Sequence, residues 1–163
     1  MILLASCQQP HKCEPSRREN AANEIIGKVA RKLKKETELR PCGSGGQTSH
    51  GVEMLALSFD YYGSIDIKEA RELLIIAVCE FVAAVNADEE IRPFLNNFPF
   101  TDKNVEIRIF VKNRDGSDVT MGKLRVVSAI DGVLDYDVKD PSEPLFKTIH
   151  RETYKEAISR VRG

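Results

Sequence analysis

Between Leu73 and Val85 every residue is apolar except Glu80, and this run constrains the fold more than any other feature. Its thirteen residues make about 20 Å of α-helix, which falls short of the roughly 30 Å hydrocarbon core of a bilayer. A helix apolar on all sides belongs inside a globule, packed against a sheet and a second helix. Asp66 followed by Glu69 forms a capping box, so the spacing predicts a helix over about 66–86. Within it, Cys79 is expected to act as a small buried hydrophobe. Glu80 is expected to reach the helix rim or to pair with an arginine, since an unpaired buried carboxylate is costly.

The rest of the pattern is mixed. Ser16 and Glu19 form another capping box, and Ala22, Ile25, Ile26, Val29 and Leu33 recur at helical spacing over about 17–38, ending before Pro41. Four glycines between Cys42 and Gly51 read as a loop. Leu55, Leu57 and Phe59 alternate in a strand of about 53–60, and Val105, Ile107, Ile109 and Val111 alternate with Glu106, Arg108, Phe110 and Lys112 in a clearer one. Asn113-Arg114-Asp115-Gly116 is a turn signal. A strand of about 123–130 meets Asp131-Gly132, the signature of a type I′ hairpin into Val133–Val138. Pro141 and Pro144 mark a loop, after which Thr148 or His150 starts a last helix of about 151–161. The expected fold is α+β: an antiparallel sheet of about four strands, a β-meander plus one, packed against the long buried helix as a two-layer sandwich. Helices flank it at each end.

Charge is unevenly distributed. The chain has 163 residues, 42% hydrophobic and 30% charged, with net charge −1. This suits one globular domain and excludes a disordered chain or a polytopic membrane protein. Residues 1–50 carry nine Lys or Arg against five Glu (net +4), and residues 51–163 carry fifteen against twenty acids (net −5). The excess centres on Lys28, Arg31, Lys32, Lys34 and Lys35. These are either the solvated face of a helix or a contact for an anionic surface. No aromatic side chain interleaves with them, which argues against nucleic acid as a partner.

Catalytic signals are sparse. Cys42 and His50 flank the glycine-rich loop, and Asp60 is placed to orient the imidazole, so a cysteine-dependent hydrolase or transferase is the enzymatic alternative. A binding module is favoured over it, because no hydrolase signature surrounds the thiol. No Walker loop or dinucleotide fingerprint is present. No cofactor is expected. No metal is expected either, as Asp135, Asp137 and their acidic neighbours lack calcium-loop spacing and no cysteine pair has zinc spacing. Tyr61, Tyr62 and Phe110 are candidates for an aromatic partner patch. Cys13 and Cys42 are free to pair in an oxidising compartment, though spacing does not establish it.

The amino terminus reads Met1-Ile2-Leu3-Leu4-Ala5-Ser6-Cys7. Leu4-Ala5-Ser6-Cys7 resembles the lipobox of bacterial lipoproteins, with an apolar residue and two small ones before Cys. The resemblance implies cleavage before Cys7 and diacylation of its sulfur. The leader is shorter than that family's, so residues 1–15 are read as a truncated leader and polar tether, and 16–163 as a single α+β domain. Phe59-Asp60-Tyr61-Tyr62 through Asn104-Val105-Glu106-Ile107-Arg108-Ile109-Phe110 resembles uncharacterised small proteins of chlamydia-type bacteria, a likeness that carries no activity. The expectation is a lipid-anchored cell-envelope protein touching the membrane surface and binding an unidentified protein partner. The alternative is a soluble cytoplasmic regulatory module without an anchor.

Overall fold

Two capping boxes legible in the sequence open the two long helices. In the computed structural model, which describes residues 15–142 and 146–163, helix α1 (Arg17–Glu36) begins where the Ser16 hydroxyl accepts from the Glu19 N–H and the Glu19 carboxylate accepts from the Ser16 N–H at 2.7 Å. Asp66 and Glu69 cap α2 (Ile67–Ala87) in the same reciprocal way. Each cap satisfies backbone donors that a helix start leaves open.

Six strands form one open sheet. They are β1 (Arg40–Gln47), β2 (Met54–Tyr62), β3 (Val105–Lys112), β4 (Leu124–Ile130), β5 (Val133–Lys139) and β6 (Phe146–Thr153), hydrogen-bonded in sequence order. Every neighbouring pair is antiparallel except β2 and β3, which run parallel. The fold is therefore α+β, but the sheet is mixed and six-stranded where about four antiparallel strands were expected. The parallel pair follows from α2, which carries the chain back across the sheet before β3 begins, as a crossover connection requires. The β4–β5 hairpin turns through Asp131 at φ 49° and Gly132 at φ 74°, the two positive values a type I′ turn demands.

Two strands escaped the pattern. The glycine-rich segment after Pro41 is β1, exposed along its whole length. It is held by its ladder to β2, with Gly46 so close that a Cβ there would lie 2.8 Å from the Met54 carbonyl oxygen. The polar stretch expected to begin the last helix is instead β6, with α3 (Tyr154–Arg162) starting only after it, capped by Thr153 and Glu156.

The helices share one face of the sheet. α1 packs on β1 and β2, α2 on β3, β4 and β5, and α3 on β5 and β6. The core holds Ile25, Leu33, Leu57, Phe59, Leu74, Phe81, Ile107, Ile109, Val127 and Leu134. α2 lies between the other two helices, and its outward side is less covered than its composition predicts: Ile76 is 41% exposed and Cys79 is exposed rather than buried. Glu80 reaches the rim and pairs with Lys32 of α1.

Among the described residues, no helix covers the opposite sheet face. Its central row runs Ser58, Arg108, Ser128, Asp135 and Arg151 across β2 to β6, and the next row runs Arg40, Asp60, Phe110, Val126, Asp137 and Thr148 across β1 to β6. Charges there pair locally: Arg151 makes a two-pronged bond to Asp135 at 2.6 and 2.8 Å, and Arg108 meets Glu106 at 3.0 Å.

Candidate functional site

The sequence-expected catalytic set is only partly assembled. Cys42 sits in the β1 bulge between Pro41 and Gly43, next to Asp60 of β2. Lys112 of β3 binds Asp60 at 3.0 Å, and Arg40 and Lys112 both lie over the Tyr62 ring, at 5.1 and 6.0 Å from its centre. His50 lies beyond the far end of β1. At about 3.3 Å per strand residue, that separates it from Cys42 by more than ~15 Å.

The electrostatics of this corner also oppose a nucleophile. Burial of the sulfur against the sheet and the neighbouring Asp60 carboxylate both push the Cys42 thiol up, outweighing Lys112, which pulls it down. A protonated thiol is a poor nucleophile. Cys42 is therefore expected to react with a thiol probe at neutral pH more slowly than a free cysteine in solution. Labelling faster than free cysteine would restore the catalytic reading.

A second polar cluster has no counterpart in the sequence reading. Glu152 of β6 points to the helix side and is 3% exposed. Its Oε1 accepts from Arg71 Nε of α2 at 2.6 Å and from the Tyr136 hydroxyl of β5 at 2.7 Å. Its Oε2 faces Arg160 Nε of α3 at 3.1 Å and His150 Nε2 at 3.6 Å. Burial alone would raise the carboxyl, but hydrogen bonds from Arg71 and Tyr136 outweigh it and hold the group below its ordinary value. Burial and the bond to this carboxylate drive the Tyr136 hydroxyl upward. Oε1 is hydrogen-bonded to α2 and β5, whereas Oε2 has only ion-pair contacts and no hydrogen bond among the described residues, so the cluster joins α2, β5 and β6 firmly and reaches α3 through the Arg160 ion pair.

The five cations of α1 fall on its solvent half. Lys28 reaches Asp88 at 4.0 Å and Lys32 meets Glu80. Arg31, Lys34 and Lys35 are exposed and form no salt bridge among the described residues. The aromatic candidates divide between the layers, with Tyr61 packed against the core and Phe110 on the uncovered sheet face. Cys7 and Cys13 lie outside the described residues. No described helix is long and apolar enough to cross a membrane. No protein-family model matches the chain, and neither a curated protein nor a solved structure matches it.

Proposed function

We propose a lipid-anchored cell-envelope protein that lies with helix α1 against an anionic membrane surface and offers its uncovered sheet face to a protein partner. One observation carries this reading: the exposed, unpaired Arg31, Lys34 and Lys35 belong to the helix layer, while the bare sheet face lies on the opposite side. Pro15 and the Ser16 cap lead straight into α1, so an anchor at Cys7 would deliver that helix to the surface first. Each Lys or Arg near an anionic leaflet contributes about 1 kcal/mol. The lipid contributes the hydrophobic share, and the cations add an electrostatic share to it. The uncovered face sets Arg40, Arg108, Lys112, Lys139 and Arg151 against Asp60, Glu106, Asp135 and Asp137, close to balance. A charge-balanced face with Phe110 at its centre suits a protein surface better than a polyanion.

The test is flotation of the unacylated chain with vesicles rich in phosphatidylglycerol, and with phosphatidylcholine alone. Binding is expected only to the first. Arg31→Glu with Lys35→Glu should weaken it on the order of 30-fold or more, whereas Arg108→Glu should leave it unchanged. Equal binding by wild type and the double variant would overturn the membrane orientation. The anchor is read separately: a fatty-acid analogue should label the natively expressed protein and fail to label Cys7→Ala. Equal label on both would overturn it.

A further inference from the structure

We infer that two copies of this chain join through their β1 edges about a twofold axis, with the two α1 helices packed antiparallel beside that seam. The outer edge of β1 is an eight-residue strand with no neighbour among the described residues. Pro41 and the bulge at Cys42 interrupt one end of this edge, but from Gly43 to Gln47 it carries a row of open backbone groups that invites another strand. Gly46 has a reason within the monomer and Gly43 flanks the β1 bulge, but Gly45 has neither. A Cβ at Gly43 would meet only an ordinary contact at 3.5 Å, and a Cβ at Gly45 would meet nothing within 4 Å. A strand glycine away from any bulge or bend, as Gly45 is, suits a site where another backbone approaches.

The helix beside this edge is self-complementary. α1 runs back along β1, with Arg18 donating to the Ser49 carbonyl at 2.9 Å near one end of the strand. The residues of α1 on the β1 side are Glu19, Asn23, Ile26, Gly27, Ala30 and Lys34, from the helical spacing and from the cleft of about 490 Å³ that Glu19, Asn23 and Ile26 line with Ser44, Gly45 and Gly46. A twofold through the middle of β1 passes near Ile26 and Gly27. It sets Glu19 of each copy against Lys34 of the other, at both ends of the helix pair. The small residues Gly27 and Ala30 fall at the centre, where the Arg31 guanidinium lies 3.1 Å from the position a Cβ on Gly27 would take.

The spacing fits as well. α1 packs on both β1 and β2, which places its axis over the seam between them. With strands ~4.8 Å apart, two such helices would lie about 10 Å from each other, at the upper end of the 8–10 Å range of packed helices. An isologous contact of this kind closes on itself and adds no open edge. The axis stands perpendicular to the sheet, so both α1 helices and both Pro15 residues face the same side. The dimer does not depend on the membrane reading and is measured without lipid.

Sedimentation of the full chain should give a mass near 18.3 kDa when dilute and twice that when concentrated. Glu19→Lys and Lys34→Glu should each weaken self-association about tenfold or more, because two exposed contacts per dimer change sign. Mixing the two variants should restore association as a heterodimer, since both contacts become attractive again. That rescue separates the interface from any loss of the α1 cap in Glu19→Lys. Backbone amides of residues 42–47 should also exchange more slowly as concentration rises. A mass of 18.3 kDa at every concentration would overturn the inference. So would a dimer indifferent to both reversals, with unchanged exchange in β1, as expected if copies met through the β6 edge with its exposed Phe146 and Ile149.

Discussion

Replacing Glu152 with Ala is expected to cost about 3–5 kcal/mol of folding free energy, because it leaves buried cationic and hydroxyl groups without their acceptor. Arg71, Tyr136, His150 and Arg160 all converge on this one carboxylate. The loss is a large part of the 5–15 kcal/mol that holds a typical domain together. Urea unfolding at neutral pH measures it. Glu152→Gln keeps the shape and an acceptor oxygen, so it should cost less than Glu152→Ala, while still leaving Arg71 without a counter-charge. The same carboxyl sets a pH dependence. Its folded value lies below its ordinary 4.5, so its contribution is complete above that value and is lost as pH falls through the lower folded one. Wild type should therefore lose more stability than Glu152→Ala between neutral pH and pH values below about 4. Equal acid sensitivity in the two proteins would assign the acid limb to other groups.

How much of this was legible beforehand depended on side-chain periodicity. Both long helices, their caps and the β4–β5 hairpin announced themselves because capping boxes and the Asp131-Gly132 pair are local chemistry. β3 was equally plain, because Val105, Ile107, Ile109 and Val111 face the helices while their neighbours face out. β1 and β6 were missed because an edge strand needs no apolar alternation. β1 presents glycines and is exposed throughout, and β6 buries only one residue, the charged Glu152. With β1 and β6 unseen, the sheet lost both edges and the parallel β2–β3 pair lost its context. The candidate site suffered the same way. Once β1 is a strand rather than a loop, Cys42 and His50 are held apart by its length, while Asp60 is brought to Cys42 across the ladder. The Glu152 cluster was invisible for a different reason: its members lie on α2, α3, β5 and β6, and no spacing rule links residues 71, 136, 150, 152 and 160.

The face that α2 turns inward gives the sharpest contrast. Phe81 is fully buried between α2 and the sheet, whereas Ile76 on the same helix is 41% exposed and Ala83 is exposed. Phe81→Ala should cost about 3–5 kcal/mol, combining lost transfer energy with the cavity left behind. Ala83→Ser should stay within about 0.5 kcal/mol of wild type, as surface substitutions do, and Ile76→Ser, at a half-buried position, should cost about 1 kcal/mol. An unbroken apolar run predicts that all three would be costly, so the series separates the sequence pattern from the observed rotation of the helix. The rotation has a physical cause. α1 and α3 cover the two flanks of α2, through Lys32–Glu80 on one side and the Tyr154 hydroxyl 2.9 Å from Cys79 on the other, and the strip between them stays open to solvent. If Ile76→Ser proved as damaging as Phe81→Ala in urea unfolding, α2 would have to be covered on its outer side in solution, and the three-helix layer described for the monomer would be incomplete.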